Sequence, residues 1–141
     1  MDESREGKKL SLIREFRHQL VNFLDELIEQ FPMEGDLVII RIFIKDQLPM
    51  ADVLGRYIRD LLPFSDHIKE RNDKFFLENT LLYTGASLAS NKVNHFKKLW
   101  VSDQLDDSDR DTIWKWMEVL NTIASQYLKN FGYINGWEPL Q

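Results

Sequence analysis

His67 and Glu70, three residues apart, are the pair in this chain best spaced to hold a metal ion or to move a proton. On a helix that spacing puts both side chains on one face. Helical-bundle di-iron sites, however, use Glu-x-x-His twice and add glutamates from facing helices. Here the order is reversed and the pair stands alone, so it cannot complete a metal shell. A surface histidine is the simpler reading. His18 falls on the polar side of its segment, with Glu15 and Asn22 nearby, and reads as solvated. His95 belongs to a basic stretch, NKVNHFKKLW (91–100), with Lys92, Lys97 and Lys98. Cations interleaved with aromatics can stack on and neutralise a single strand of nucleic acid. Yet Phe96 and Trp100 share an apolar face with Val93, and Asp103, Asp106 and Asp107 follow at once. Those carboxylates would repel phosphate, so solvated lysines over a core stripe are the preferred reading.

Other chemistries lack their residues. The chain has no cysteine, which removes disulfides, thiolate metal sites and cysteine nucleophiles together. Its six glycines are dispersed and build no phosphate-cradling loop. The carboxylate pairs Asp106/Asp107 and Asp109/Asp111 lack the glycine turn and terminal glutamate of a calcium loop, and helix capping explains them. No nucleophile–base arrangement can be recovered, since geometry rather than presence defines a triad. The reading is therefore of a protein that is not an enzyme, with no catalytic residue, no metal and no cofactor. A net charge of −5 argues against sequence-independent nucleic-acid binding and against docking on an anionic membrane. No apolar run reaches the roughly 18 residues of a membrane span, and the polar opening MDESREGKK is unlike a signal peptide. A soluble intracellular protein is expected.

Helices must position whatever function remains. The stretch 108–132, SDRDTIWKWMEVLNTIASQYLKNFG, writes out one amphipathic helix. Ser108 and Asp111 have the spacing of a capping box, and Gly132 supplies the left-handed stop. Along it Ile113, Met117, Leu120, Ile123, Tyr127 and Leu128 recur at helical intervals. A first helix runs from Leu10 to Phe31 and is ended by Pro32. The segment 37–44, LVIIRIFI, has the β-branched content of a strand, but no second strand-like run exists to pair with it. It is read as a buried helix, apolar nearly all round, with a strand paired across a dimer as the alternative. Met50 to Leu62 gives a clean stripe ending before Pro63; 65–71, 73–83 and a segment starting near Ser90 or Asn91 give shorter helices. The fold class is all-α: a single-domain orthogonal bundle of six or seven helices. Residues 1–8 form a mobile tail, 9–132 the helical domain, and 133–141 an aromatic tail that docks on the core or on a partner.

Trp114 and Trp116, two positions apart, cannot both face one narrow stripe. Trp116 joins Ile113, Leu120 and Ile123, leaving Trp114 on the flank. Tryptophan on a flank suits an interface, or is covered by a neighbouring helix or by the tail. Trp114, Trp137 and Tyr133 are thus the candidate protein interface.

Three stretches, FPMEGDLVIIR (31–41), LLPFSDHIKERNDKFF (61–76) and DRDTIWKWMEVLNTIA (109–124), resemble small helical proteins of unknown function from large nucleocytoplasmic DNA viruses, marseillevirus-like ones included. The resemblance covers about 16–127 and implies a viral protein acting in an infected cell's cytoplasm or packaged in the particle. It carries no active-site residue. The expected function is a non-enzymatic interaction or structural module that binds a protein partner or itself, as a homodimer. A nucleic-acid accessory factor on 91–100 is the alternative, and an enzyme with a cryptic helical-bundle site the third reading.

Overall fold

Pro32 and Pro49 each follow a helical run that they cannot continue, and Pro63 sits in a 3₁₀ turn just beyond another. The computed structural model describes residues 2–78 and 97–139, and its regular structure there is helical throughout, with no strand among the described residues. The all-α expectation holds, and the strand alternative for 37–44 does not. The elements are α1 (Asp2–Gln30), α2 (Gly35–Ile42) running into a π turn (Phe43–Gln47), α3 (Met50–Asp60), a 3₁₀ turn (Leu62–Phe64), α4 (Ser65–Lys69), α5 (Asp73–Glu78) and α6 (Asp107–Phe131). Residues 97–100 are also helical.

The starts of the first and last helices differ from the sequence reading, α3 and α4 each end two residues early, and the end of the 73–83 segment and the start near Ser90 or Asn91 lie outside the described residues. The segment expected as a tail over 1–8 is drawn into α1, which begins at Asp2. No proline interrupts it, the isolated Gly7 costs only about 1 kcal/mol in a helix, and the Arg5 guanidinium lies 4.9 Å from the centre of the Phe131 ring. The capping box of α6 also sits two residues early. The Asp109 amide donates to Asp106 Oδ1 at 2.8 Å, and the Asp106 amide donates to Asp109 Oδ2 at 3.1 Å. Two aspartates therefore do what Ser108 and Asp111 were expected to do. Ser108 instead offers its carbonyl to the Thr112 hydroxyl, and Asp111 pairs with Arg71 and Lys115. The stop is as read, with Gly132 at φ +77°.

Contacts gather the chain into two compact units, Met1–Pro63 with Val119–Gln141, and Phe64–Glu118. In the first, Phe16 of α1, Leu54 and Ile58 of α3, and Leu120, Ala124 and Tyr127 of α6 form one buried cluster. Phe16 meets Tyr57 edge-on at 5.2 Å between centroids. The Tyr57 hydroxyl donates to the Asn121 side-chain oxygen, which lets a polar tip sit at the edge of an apolar core.

Burial pushes the Tyr57 hydroxyl above the ordinary tyrosine range, and burial together with Glu6 raises Tyr127. The folded state thus holds these protons more tightly than the unfolded chain, whose tyrosines titrate near pH 10. The stability they contribute is complete below that pH and is lost as pH rises through it toward the folded values. Denaturant midpoints followed from pH 8 to 11 should be level at first and then fall. Tyr57→Phe should flatten that fall, and an unchanged slope would contradict the assignment.

In the second unit Ile68, Leu99, Leu105 and Trp114 are buried. Trp100 packs edge-on to Trp114 at 5.6 Å and 86°. Arg110 reaches back to the carbonyls of Trp100 (2.8 Å) and Ser102 (3.2 Å), which sets a cation at the C-terminal end of the helical residues 97–100. Arg71 occupies the left-handed position after α4, at φ +55°, where glycine is usual. The Asn72 amide donates to the His67 carbonyl and the Arg71 amide to that of Ile68, which is the hydrogen-bond pattern of a Schellman stop. The arginine offsets its conformational cost by pairing with Asp111 and Glu118 on α6.

Candidate functional site

Most of the described residues singled out from sequence have partners within their own part of the chain. His67 stacks on Phe75, 3.7 Å between centroids and 4° from parallel, and its Nδ1 lies 3.1 Å from the Asn72 side-chain nitrogen. That packing gives the ring a structural neighbour on one face, while Glu70 is exposed. His18 is exposed beside Asn22. Of the basic stretch, Lys98 is exposed and Lys97 half-buried, while Lys92 and His95 lie outside the described residues. No three His, Asp or Glu side chains gather as a metal would need among the described residues. No helix of the described residues is long and apolar enough to cross a membrane.

Trp114 is corrected. It is 6% exposed, a core residue rather than a flank, and Trp116 is the half-buried one. Within the 64–118 unit the indole is covered by Trp100, so of the sequence readings of Trp114 the one that holds is cover by a neighbouring helix.

Trp137 is accounted for within the chain. Its Nε1 donates to Asp52 Oδ1 at 3.0 Å, and its ring lies 4.9 Å from the Arg59 guanidinium. Arg59 also binds Asp60 through two hydrogen bonds, of 2.7 and 3.0 Å, which hold the Asp60 carboxyl below its usual range. Between Asp52 and Arg59 lies Gly55, where an added Cβ would come within 2.8–3.0 Å of Trp137 side-chain atoms. The aromatic tail therefore docks on α3 through a glycine notch, and Tyr133 remains 42% exposed. Gly55→Ala should lose about 1–2 kcal/mol by expelling the indole. In a Trp137→Ala background the same change should instead gain up to about 1 kcal/mol, the helix preference for alanine over glycine. A double-mutant cycle by urea denaturation checks this sign reversal; equal effects in both backgrounds would refute the notch.

A row of exposed apolar side chains lies on α2. Leu37 is buried, Ile44 packs against the first core, and Arg41 pairs with Asp25 of α1. These fix the inward side. The outward side carries Val38 (42% exposed), Ile39 (52%), Ile42 (46%) and Phe43 (49%), flanked by exposed Met33 and Leu48. This overturns the expectation of a buried 37–44, because neighbouring helices cover only one side of it. The π turn follows from the chain's exit. Leu48 must be extended before Pro49, and its amide closes on the Phe43 carbonyl at 2.8 Å. The Arg17 guanidinium donates to the Lys45 carbonyl and holds the turn to α1. The exposed row thus sits on a fixed backbone. A signal for it exists in the sequence: a two-turn helix apolar on every side needs cover on every side.

One cleft, of about 560 Å³, opens between the start of α1 and the end of α6 and is lined by Ser4, Arg5, Lys8, Gln126, Asn130 and Phe131. Its cations and amides face solvent without an acid–base pair converging on a common point, and Arg5 is already seated on Phe131. It offers weak, general polarity rather than a reaction centre.

No protein-family model matches the chain, and comparison with curated proteins and with solved structures finds no match either.

Proposed function

We propose that the protein is a non-catalytic interaction module whose recognition surface is the outward face of α2 and its π turn. The observation that carries this reading is the row Val38, Ile39, Ile42 and Phe43, each about half exposed on a helix anchored by Leu37, Arg41 and Arg17. Contiguous exposed apolar side chains on a fixed element mark interaction sites in soluble proteins. A preformed helix face also binds without the ordering cost that a flexible loop incurs. Trp114 and Trp137 leave the proposed interface because both have partners inside the chain, whereas Tyr133 remains an exposed aromatic. The setting within this proposal is an infected cell's cytoplasm or a virus particle, as the resemblance implies.

The test is site-specific photocrosslinking in cells producing the protein. Benzoylphenylalanine at position 42 should give protein adducts of defined mass, and at Lys115, an exposed position elsewhere, it should give none. Adduct formation equal at both positions, or absent at 38, 39, 42 and 43 alike, would end the reading.

A further inference from the structure

Independently of the α2 face, we propose that the cleft between the start of α1 and the end of α6 binds a small organic phosphate. Both walls belong to one unit, Met1–Pro63 with Val119–Gln141. On α1, Ser4, Lys8 and Ser11 recur at helical spacing, so two hydroxyls and an ammonium share one side of the helix. On α6, Gln126 and Asn130 line the other wall one turn apart. Leu12 and Phe131 supply the apolar part.

Charge indicates the ligand. The chain carries a net charge of −5, yet Arg5 and Lys8 line this cleft and no carboxylate does among the described residues. Lys9 and Lys129 adjoin the lining residues in sequence, whereas Glu6 acts on Tyr127. The Arg5 guanidinium lies over the Phe131 ring rather than in an ion pair. A ring contact uses the face of the guanidinium and leaves its planar fork of N–H groups for an acceptor. Ser4, Lys8 and Ser11 make no side-chain hydrogen bond or ion pair among the described residues. A cleft lined by one sign of charge concentrates the opposite ion. A phosphate monoester brings nearly two negative charges and three acceptor oxygens, which two cations and two hydroxyls can meet.

Size calls for more than a bare ion. A volume of about 560 Å³ falls within the range of small-molecule sites. The Gln126 and Asn130 amides offer donors and acceptors to the organic part of a ligand. Asn130 is steadied on its own helix, where its side-chain nitrogen donates to the Gln126 carbonyl at 2.8 Å. With no acid–base pair converging there, the cleft holds its ligand without transforming it. Its polar side chains are all exposed, so binding is modest.

The test is a titration at low salt followed by nitrogen–proton correlation NMR. Adenosine monophosphate or a hexose phosphate should shift the amides of 4–12 and 126–131 with a Kd of about 0.1 to 1 mM. Adenosine should bind at least about tenfold more weakly, and inorganic phosphate at least about threefold. Lys8→Glu should weaken the better organic phosphate at least about tenfold, while Lys45→Glu, the same charge change outside the cleft, should weaken it less than about twofold. Both lysines are exposed, and unchanged circular dichroism separates these losses from unfolding. Silence at the cleft amides with both organic phosphates at about 10 mM would overturn the site. Equal losses at positions 8 and 45 would reduce it to the charge of the whole chain. Adenosine binding as tightly as its monophosphate would remove the phosphate, and inorganic phosphate binding as tightly would remove the organic part.

Discussion

Phe16→Ala should lower the unfolding free energy by about 3 to 5 kcal/mol, read as a shift of the urea midpoint. Phe16 is 1% exposed at the middle of α1 and belongs to the cluster with Leu54, Ile58 and Tyr127. Truncation removes the transfer energy of the ring and leaves a cavity, and both terms have the same sign. It also removes the edge-on contact with Tyr57, an arrangement worth about 0.5 to 1.5 kcal/mol beyond its area. Domains of this size hold only about 5 to 15 kcal/mol in all, so the variant should be close to unfolding near physiological temperature. Phe43→Ala is the matched control. It removes the same ring from a site that is 49% exposed, and should stay within about 0.5 kcal/mol of the parent. Equal losses at 16 and 43 would mean that the α2 face is covered within the single chain, and the interaction reading would go with it.

That contrast marks what periodicity can and cannot reveal. Phe16 and Phe43 both sit in apolar helical runs, and the sequence treats them alike. The stripe of α1 was legible because polar residues frame it: Arg14, Glu15, Arg17 and His18 are exposed and leave Phe16 only one way to face. The segment 37–44 has no such frame, so its pattern indicates a helix without saying which side the fold covers. Helix ends were legible from Pro32, Pro49 and Gly132, whose backbone limits act locally. The α6 cap was harder, because Asp106, Ser108, Asp109 and Asp111 all suit it and only the geometry chooses among them. The notch at Gly55 was invisible, since its cause is a side chain eighty-odd residues away in the tail. Local rules carried local structure, and contacts distant in sequence decided the surface.

Trp114 is the residue on which the two levels disagree most, and its truncation separates them. Trp114→Ala should cost about 3 to 5 kcal/mol, the usual loss for a buried large aromatic. The loss falls on the 64–118 unit, where the indole packs edge-on to Trp100 and shares its side of α6 with the Arg71 partners Asp111 and Glu118. Tryptophan at an interface would behave otherwise: its removal would leave the melting temperature alone and reduce binding. Three readouts therefore move together under the core assignment. The near-ultraviolet circular dichroism of the Trp100–Trp114 pair should collapse, the urea midpoint should fall, and hydrogen exchange should quicken at Leu99, Leu105 and Ile68. Trp114→Phe, which keeps a ring in the site, should recover a large part of the loss. A Trp114→Ala chain that melts like the parent would return the residue to the surface and require a different account of how the first half of α6 is held.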